Sequence, residues 1–293
     1  MPSEHQNLLL PGDHLLELEH HGRRRTALVH VPPAALGPAR LPLVLAMHGG
    51  GTNARTMADF CGLSEKADAA DFFVVYPNGT GRLDELYTWN AGNCCGYALR
   101  YGVDDVAFID RLLDRLDNEL PTDRRRVFAT GMSNGAMLAY RLADELSERI
   151  AAIAPVAGPM GSTQCHPSRP VSVLHFHGTA DEFAPYPGGK GLKSLSKAVF
   201  YSVEHSVAAW VAANGCPSEP IVDTLTTASD SAMPVTRRIY GPGRDDSEVV
   251  LVTIEGGGHT WPGRVSTFKF LGPTTLDISA NDLMWEFFER HPL

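Results

Sequence analysis

The sequence predicts an α/β protein: a mostly parallel sheet with helices on both faces, entered through an antiparallel hairpin. Three observations carry this. Short, continuous apolar runs recur at strand length, stretches of helical period lie between them, and glycine-rich segments follow several of the runs.

Taken in order, His14 to Glu19 and Thr26 to Val31 alternate apolar and polar residues around His21-Gly22, the pattern of two paired strands joined by a turn. Leu41 to Met47 is a continuous apolar run that ends in His48-Gly49-Gly50-Gly51. Asp71 to Tyr76 is another, ending in Pro77-Asn78-Gly79. Both read as strands buried on two faces. Thr52 to Ala70 has room for a helix between them, and Val103 to Leu120 places Val106, Ile109, Leu112, Leu113 and Leu116 on one helical face. Strand and helix then alternate: strand Arg126 to Thr130, helix Asn134 to Leu146, strands Ile150 to Val156 and Val171 to His177, helix Ser202 to Asn214. A strand Val249 to Ile254 and a closing helix Ile278 to His291 complete the series. Val222 to Tyr240 is the least patterned stretch, and an antiparallel pair or a loop excursion is expected there, with Val235 to Tyr240 as one strand.

Composition narrows the function. The 293 residues carry 25 basic and 34 acidic side chains, a formal charge of −9, which does not suit a nucleic-acid partner. The one dense basic run, Arg23-Arg24-Arg25, reads as a solvated hairpin tip. No apolar run reaches the roughly 18 to 20 residues of a membrane-spanning helix, so no membrane partner is expected. Met1 to Leu10 lacks the charged, apolar and small-residue succession of an export signal, which leaves a cytoplasmic location open. Five cysteines, Cys61, Cys94, Cys95, Cys165 and Cys216, allow at most two disulfides, and bridges from the Cys94-Cys95 loop to Cys61 or Cys165 are possible. Adjacent cysteines do not match zinc-ligand spacing, and neither a metal nor a cofactor is expected. The oligomeric state is open.

The strongest local signal is Gly131-Met132-Ser133-Asn134-Gly135, set between the strand-forming Val127 to Thr130 and the helix-forming Ala136 to Tyr140. A serine on a sharp strand-to-helix turn is presented at the sheet edge, and the flanking glycines avoid collisions there. Ser133 is therefore the candidate nucleophile. It needs an imidazole base from another loop at that edge, and His259, in Gly256-Gly257-Gly258-His259 after the strand Val249 to Ile254, fits. A carboxylate should lie between them in the chain, and Asp181, in His177-Gly178-Thr179-Ala180-Asp181, is preferred over Asp144, Asp223 and Asp230.

The developing oxyanion needs two main-chain donors. Asn134, directly after the serine, supplies one. Gly50 is the first choice for the other and Gly51 the second. Asn134 is expected to enter through its main chain, so its side chain need not matter. Trp89 and Trp261 are candidate substrate-lining rings. Asp104 and Asp105 read as first-turn and capping residues, and His175 and His177, which share a strand face, as buried support rather than ligands.

Together these motifs resemble a known group, the α/β-hydrolase esterases that include polyhydroxybutyrate depolymerase-like proteins and feruloyl or acetylxylan esterases of the carbohydrate esterase family 1 type. The resemblance spans roughly residues 41 to 263. It rests on His48-Gly49-Gly50, Trp89-Asn90-Ala91-Gly92 with Cys94-Cys95, Val103-Asp104-Asp105-Val106, the Ser133 pentapeptide, His177 to Asp181, Asn214-Gly215-Cys216, and Gly257 to Gly263. It implies the same Ser133, Asp181 and His259 triad, an acyl-enzyme mechanism without a cofactor, and an extracellular or periplasmic location. The implied substrate is a feruloyl or acetyl ester of plant polysaccharide, or a poly(3-hydroxybutyrate)-type polyester. Where such proteins often have a cysteine after a tyrosine like Tyr240, this chain has Gly241-Pro242-Gly243. Because a mid-chain serine and a late histidine must converge on one sheet edge, residues 1–293 are expected to form one catalytic domain. Rival readings are a serine peptidase or thioesterase on the same fold and a catalytically silent polysaccharide- or polyester-binding module.

Overall fold

The computed structural model describes residues 9–194, 196–225 and 233–293. The hairpin forms as β1 (Gly12–His20) and β2 (Arg23–Val31), and the two apolar runs as β3 (Leu41–Met47) and β4 (Phe73–Pro77). Two helices, α1 (Ala54–Cys61) and α2 (Leu63–Ala70), fill the space between β3 and β4 where one was expected. Gly62, at φ 62°, ends the first and starts the second, a left-handed conformation that glycine adopts without a Cβ penalty.

A five-residue helix α3 (Gly96–Arg100), which the sequence pattern did not reveal, precedes α4 (Asp105–Glu119). Then come β5 (Thr122–Met132), α5 (Asn134–Glu145), β6 (Ala152–Val156), β7 (Ser172–Gly178) and α6 (Val203–Asn214). The irregular region holds an antiparallel pair, β8 (Ile221–Thr224) with β9 (Val235–Tyr240). The chain closes with β10 (Val249–Ile254) and α7 (Ala280–Arg290). Asp230, one of the competing carboxylates, lies outside the described residues.

Among the described residues the strands form one ten-stranded sheet in the order β1-β2-β4-β3-β5-β6-β7-β10-β9-β8. The six strands from β4 to β10 in that order are mutually parallel, and the antiparallel strands stand at the two margins. Apolar side chains on the two faces form two cores. One is built with α4, α5 and α6 and the other with α1, α2 and α7. The parallel register aligns the strand ends: Met47 faces Gly131, Met132 faces Val156, Val156 faces Phe176, and Gly178 faces Ile254. The loops after β3, β5, β7 and β10 therefore emerge along one edge.

Two readings of charged residues need correction. Arg24 at the hairpin is exposed and paired with Glu17, but Arg25 is only 2% exposed. It alternates inward with the strand. Its Nη2 donates to Asp105 Oδ1 at 2.7 Å and to the Asn78 carbonyl at 3.1 Å, and its guanidinium lies 3.7 Å from the centre of the Phe108 ring. Asp104 caps α4 as expected, accepting from the Ala107 N–H, whereas Asp105 is the buried counter-ion. Burial is the largest influence on both, raising the Asp105 pKa and lowering that of Arg25.

The cysteines also differ from expectation. Cys94 and Cys95 are bonded to each other, and Cys61, Cys165 and Cys216 are free. Cys61 lies at the end of α1 and is buried in the core built with α7, whereas Cys94 and Cys95 pack in the opposite core, which explains why no bridge joins them.

Candidate active site

β5 ends at Met132 and α5 begins at Asn134, which leaves Ser133 alone on the turn with φ 56° and ψ −118°. A side-chain-bearing residue rarely adopts this conformation, and it is held from both flanks. The Ser133 N–H donates to the Val156 carbonyl at 2.9 Å, and the Ser133 carbonyl accepts from the Met137 N–H at 3.0 Å. The glycines are required by close approach. A Cβ on Gly135 would lie 2.2 Å from the Met47 carbonyl oxygen, and one on Gly131 would lie 2.6 Å from the Gly135 main chain.

On one side of Ser133 lies the loop after β3. A Cβ placed on Gly49 would be 3.6 Å from Ser133 Cβ, and one on Gly50 would be 3.6 Å from Asn134 Cβ, so this loop covers the turn. Its orientation is set by His48. The Gly79 N–H donates to His48 Nε2 at 3.0 Å, so the ring proton sits on Nδ1, which donates to the Gly49 carbonyl at 2.8 Å. Thr52 Oγ1 donates to the same carbonyl at 2.8 Å. Because the peptide unit is planar and trans, fixing the Gly49 carbonyl fixes the direction of the Gly50 N–H.

Burial pushes the His48 imidazole down to about 4, so it stays neutral near pH 7. The Gly51 N–H is already committed to the Tyr87 carbonyl at 2.7 Å, which separates the two glycines in favour of Gly50. Among the described residues, the N–H groups of Gly50 and Asn134 have no acceptor. The latter is the first of α5, where unpaired donors and the helix dipole favour negative charge.

The Asn134 side chain is not idle, contrary to the sequence expectation. Its Oδ1 accepts from the Trp89 N–H at 2.7 Å and its Nδ2 donates to the Trp89 carbonyl at 3.1 Å. Trp89 Nε1 in turn donates to the His48 carbonyl at 2.9 Å. Beyond it, the Asn90 N–H donates to Asp105 Oδ2 at 2.8 Å, and Arg141 donates to the Asn90 carbonyl at 2.8 Å.

On the other side, His259 Nδ1 lies 2.6 Å from Asp181 Oδ2. Both residues are buried. Asp181 Oδ1 accepts from the N–H groups of Phe183 at 2.8 Å and Ala184 at 2.9 Å. Burial pushes the carboxyl up, but the charges and hydrogen bonds of His259 and His177 outweigh it, leaving its pKa below the usual range and the group ionised. His177 Nε2 donates to the Ala184 carbonyl at 2.8 Å and stands 3.4 Å from Asp181 Oδ2.

The polar chain continues into the sheet, with His177 Nδ1 3.0 Å from His175 Nε2 and His175 Nδ1 2.9 Å from the Tyr140 hydroxyl. A carbonyl can only accept, so with neutral rings the direction is set throughout: Tyr140 donates to His175, His175 to His177, and His177 to Ala184. Burial holds the His175 pKa well below its ordinary value.

Ser133, Asp181, His259, Gly50 and Asn134 thus emerge along one edge of the sheet. Of the rejected carboxylates, Asp144 accepts from the His166 N–H and Asp223 is paired with Arg237. The two tryptophans do not line a substrate surface. Trp89 is 0% and Trp261 1% exposed. Trp89 lies tilted against the His48 ring, and Trp261 Nε1 donates at 2.8 Å to Asn281, whose amide holds the Cys61 carbonyl at the end of α1. Both brace loops from beneath.

A mostly parallel sheet with a strained serine turn after a central strand is the architecture of the α/β-hydrolase fold. The acetyl xylan esterase from Aspergillus awamori has the same fold, with a TM-score of 0.64 and 16% identity over 94% of this chain and 99% of that one. The family model described as Esterase PHB depolymerase matches residues 25–173. The chain belongs to that family and is a carboxylic-ester hydrolase.

Among its relatives is NocK of Nocardia uniformis subsp. tsuyamanensis, named as an esterase. It is 30% identical over 279 residues, covering 91% of this chain and 79% of that one. The bifunctional acetylxylan esterase/xylanase XynS20E of Neocallimastix patriciarum is 28% identical over 88% of this chain, and feruloyl esterase B of Piromyces equi is 27% identical over 80%. The matches span only 32% and 42% of those two longer proteins.

Proposed function

We propose that this chain is one catalytic domain that hydrolyses carboxylic esters through an acyl-enzyme on Ser133. The observation that carries the reading is the conjunction, at one sheet edge, of a serine in a strained, partly buried turn with a buried histidine-carboxylate pair. Asp181 accepts the Nδ1 proton of His259, which leaves Nε2 as the base. Nε2 takes the Ser133 proton as Oγ attacks the ester carbonyl, and the N–H groups of Gly50 and Asn134 receive the oxyanion. As the C–O bond breaks, His259 returns the proton to the leaving alcohol. Water, activated by the same imidazole, then releases the acid.

The relatives named as acetylxylan and feruloyl esterases, together with the family description, support an acetyl or feruloyl ester of plant polysaccharide, or a poly(3-hydroxybutyrate)-type polyester, as substrate. Such polymers are met outside the cell, so export from the cytoplasm goes with this reading. No helix among the described residues is long and apolar enough to cross a membrane.

The test is a fluorophosphonate probe with peptide mapping, alongside kcat/KM for p-nitrophenyl acetate, methyl ferulate, 3-hydroxybutyrate oligomers, an acyl thioester and a peptide. Labelling at Ser133 and highest kcat/KM on oxygen esters are expected. Failure to label would point to a binding module, and faster thioester or peptide cleavage to the corresponding rival enzyme.

A further inference from the structure

One face of His259 is covered by an aromatic ring, and that ring begins a row. The Phe183 ring stacks on the imidazole with centroids 5.0 Å apart and planes inclined by 26°. Phe270 lies 6.2 Å beyond Phe183, Phe268 lies 5.8 Å beyond Phe270, and Phe60 of α1 lies 6.4 Å beyond Phe268. The two middle rings are open to solvent, Phe270 being 60% and Phe268 39% exposed, and the end rings Phe183 and Phe60 are half-buried. Contiguous exposed apolar surface of this kind costs free energy in water and marks a place where something apolar binds.

The row is fixed to the catalytic loop. The N–H groups of Gly258 and His259 donate to the carbonyls of Pro273 and Leu271 at 2.8 and 2.7 Å, and that of Gly263 donates to Thr275 at 2.9 Å. At its far end, Arg264 pairs with Glu65 of α2. Rings and imidazole are therefore parts of one braced surface rather than a loose loop beside a site.

We propose that Phe183, Phe270, Phe268 and Phe60 form the subsite for the alcohol portion of the ester, and that it takes an apolar or aromatic group there. The inference rests on the serine-hydrolase reading above. Its chemical ground is the destination of the returning proton. His259 must reach the leaving oxygen, so the alcohol departs on the His259 side, while the carbonyl oxygen lies toward Gly50 and Asn134. An alcohol group extending past His259 meets Phe183 first and the exposed rings next. Offset or tilted stacking at ring separations of about 4.5 to 7 Å is favourable for an aromatic guest.

The experiment compares 3-phenylpropyl acetate with methyl acetate, and methyl 4-phenylbutanoate with methyl acetate, in wild type and in the Phe268→Ser/Phe270→Ser double variant. Both positions are exposed, so the fold should persist. Tyr101→Ser, at another exposed aromatic (58%), is the control.

In the double variant the kcat/KM ratio of 3-phenylpropyl to methyl acetate should fall roughly tenfold. The phenylbutanoate ratio should hold, and Tyr101→Ser should leave both ratios in place. A fall confined to the phenylbutanoate ratio would assign the row to the acyl side and overturn the proposal, as would unchanged ratios. Should wild type neither turn over methyl acetate nor label at Ser133, the hydrolase reading fails and the subsite with it. Normal turnover without discrimination sinks the subsite alone.

Discussion

In the proposed mechanism Ser133 is served from two sides that are built differently. On the oxyanion side, buried side chains grip main chain: His48 and Thr52 hold the Gly49 carbonyl, and Asn134 holds both polar groups of Trp89. On this reading the groups that meet the substrate there are main-chain N–H donors, which a change of side chain other than to proline leaves in place. On the acid-base side, side chain grips side chain from Tyr140 through His175 and His177, and His177 and His259 both approach Asp181 Oδ2. Damage to the first side re-aims a donor, so its effects should be graded. Damage to the second changes which atom carries a proton, and its effects should be severe.

Removing the atom that both sides serve should cost most. Ser133→Ala is expected to lower kcat by at least ~10⁴-fold while leaving the melting temperature close to wild type. Retention of more than a tenth of the wild-type rate would remove Ser133 from its role. Next comes the acid-base side. Asp181→Asn presents an amide where two imidazoles now find a carboxylate, and a loss of about 10³- to 10⁴-fold in kcat follows from the wrong His259 tautomer. If Asp223→Asn produces that loss instead, the carboxylate is misassigned.

Acid should lower stability from both sides, with His48 giving the contribution that can be followed. His48 is held neutral with a folded pKa of about 4, against about 6.5 in the unfolded chain. Between those values the unfolded chain binds a proton that the folded one refuses. Stability is thus whole above pH 6.5 and is lost toward pH 4, by on the order of 3 kcal/mol from this group. His175, also pushed down by burial, acts in the same direction. The Asp181 carboxylate, with its pKa lowered, contributes its loss only at more acidic pH. Urea titrations at pH 7 and 4.5 should show a shallower pH slope for His48→Gln than for wild type, and parallel slopes would contradict a neutral buried His48.

The smallest effect should come from Asn134→Ala. It keeps the oxyanion N–H but frees Trp89, and a loss of about 10- to 50-fold in kcat, with little change in KM, is expected from a misdirected donor. A loss as large as that of Asp181→Asn would erase the distinction between the sides.

The same contrast explains what could be read from the sequence. Strand-length apolar runs and helical spacing gave the layers and their order, because burial on two faces leaves a one-dimensional trace. That Ser133, Asp181 and His259 lie along one sheet edge was legible because each follows a strand whose C-terminal end is aligned with the others. Arg25 was misread because its partner, Asp105, lies 80 residues away and no local pattern announces it. Trp89 and Trp261 looked like binding rings because composition does not tell a ring that faces a substrate from one that braces a loop. The side-chain role of Asn134 was missed for a related reason: its partner is a main-chain unit, which has no letter in the sequence. Gly62 within a helical pattern was the available hint that one helix was two.

The antiparallel strands at the sheet margins have a consequence for where another chain could add to the sheet. A sheet must end somewhere, and an unpaired strand is an open template for another chain. Here β5, which carries Ser133, has four strands on one side and five on the other. At ordinary strand spacing the open borders lie roughly 19 and 24 Å away from it. At β1 the outward positions include Glu17 and Glu19, and at β8 Asp223 is tied to Arg237. Open strand edges are thereby kept at rims away from Ser133, while β3, β5, β7 and β10, whose loops meet beside it, each lie between two neighbours.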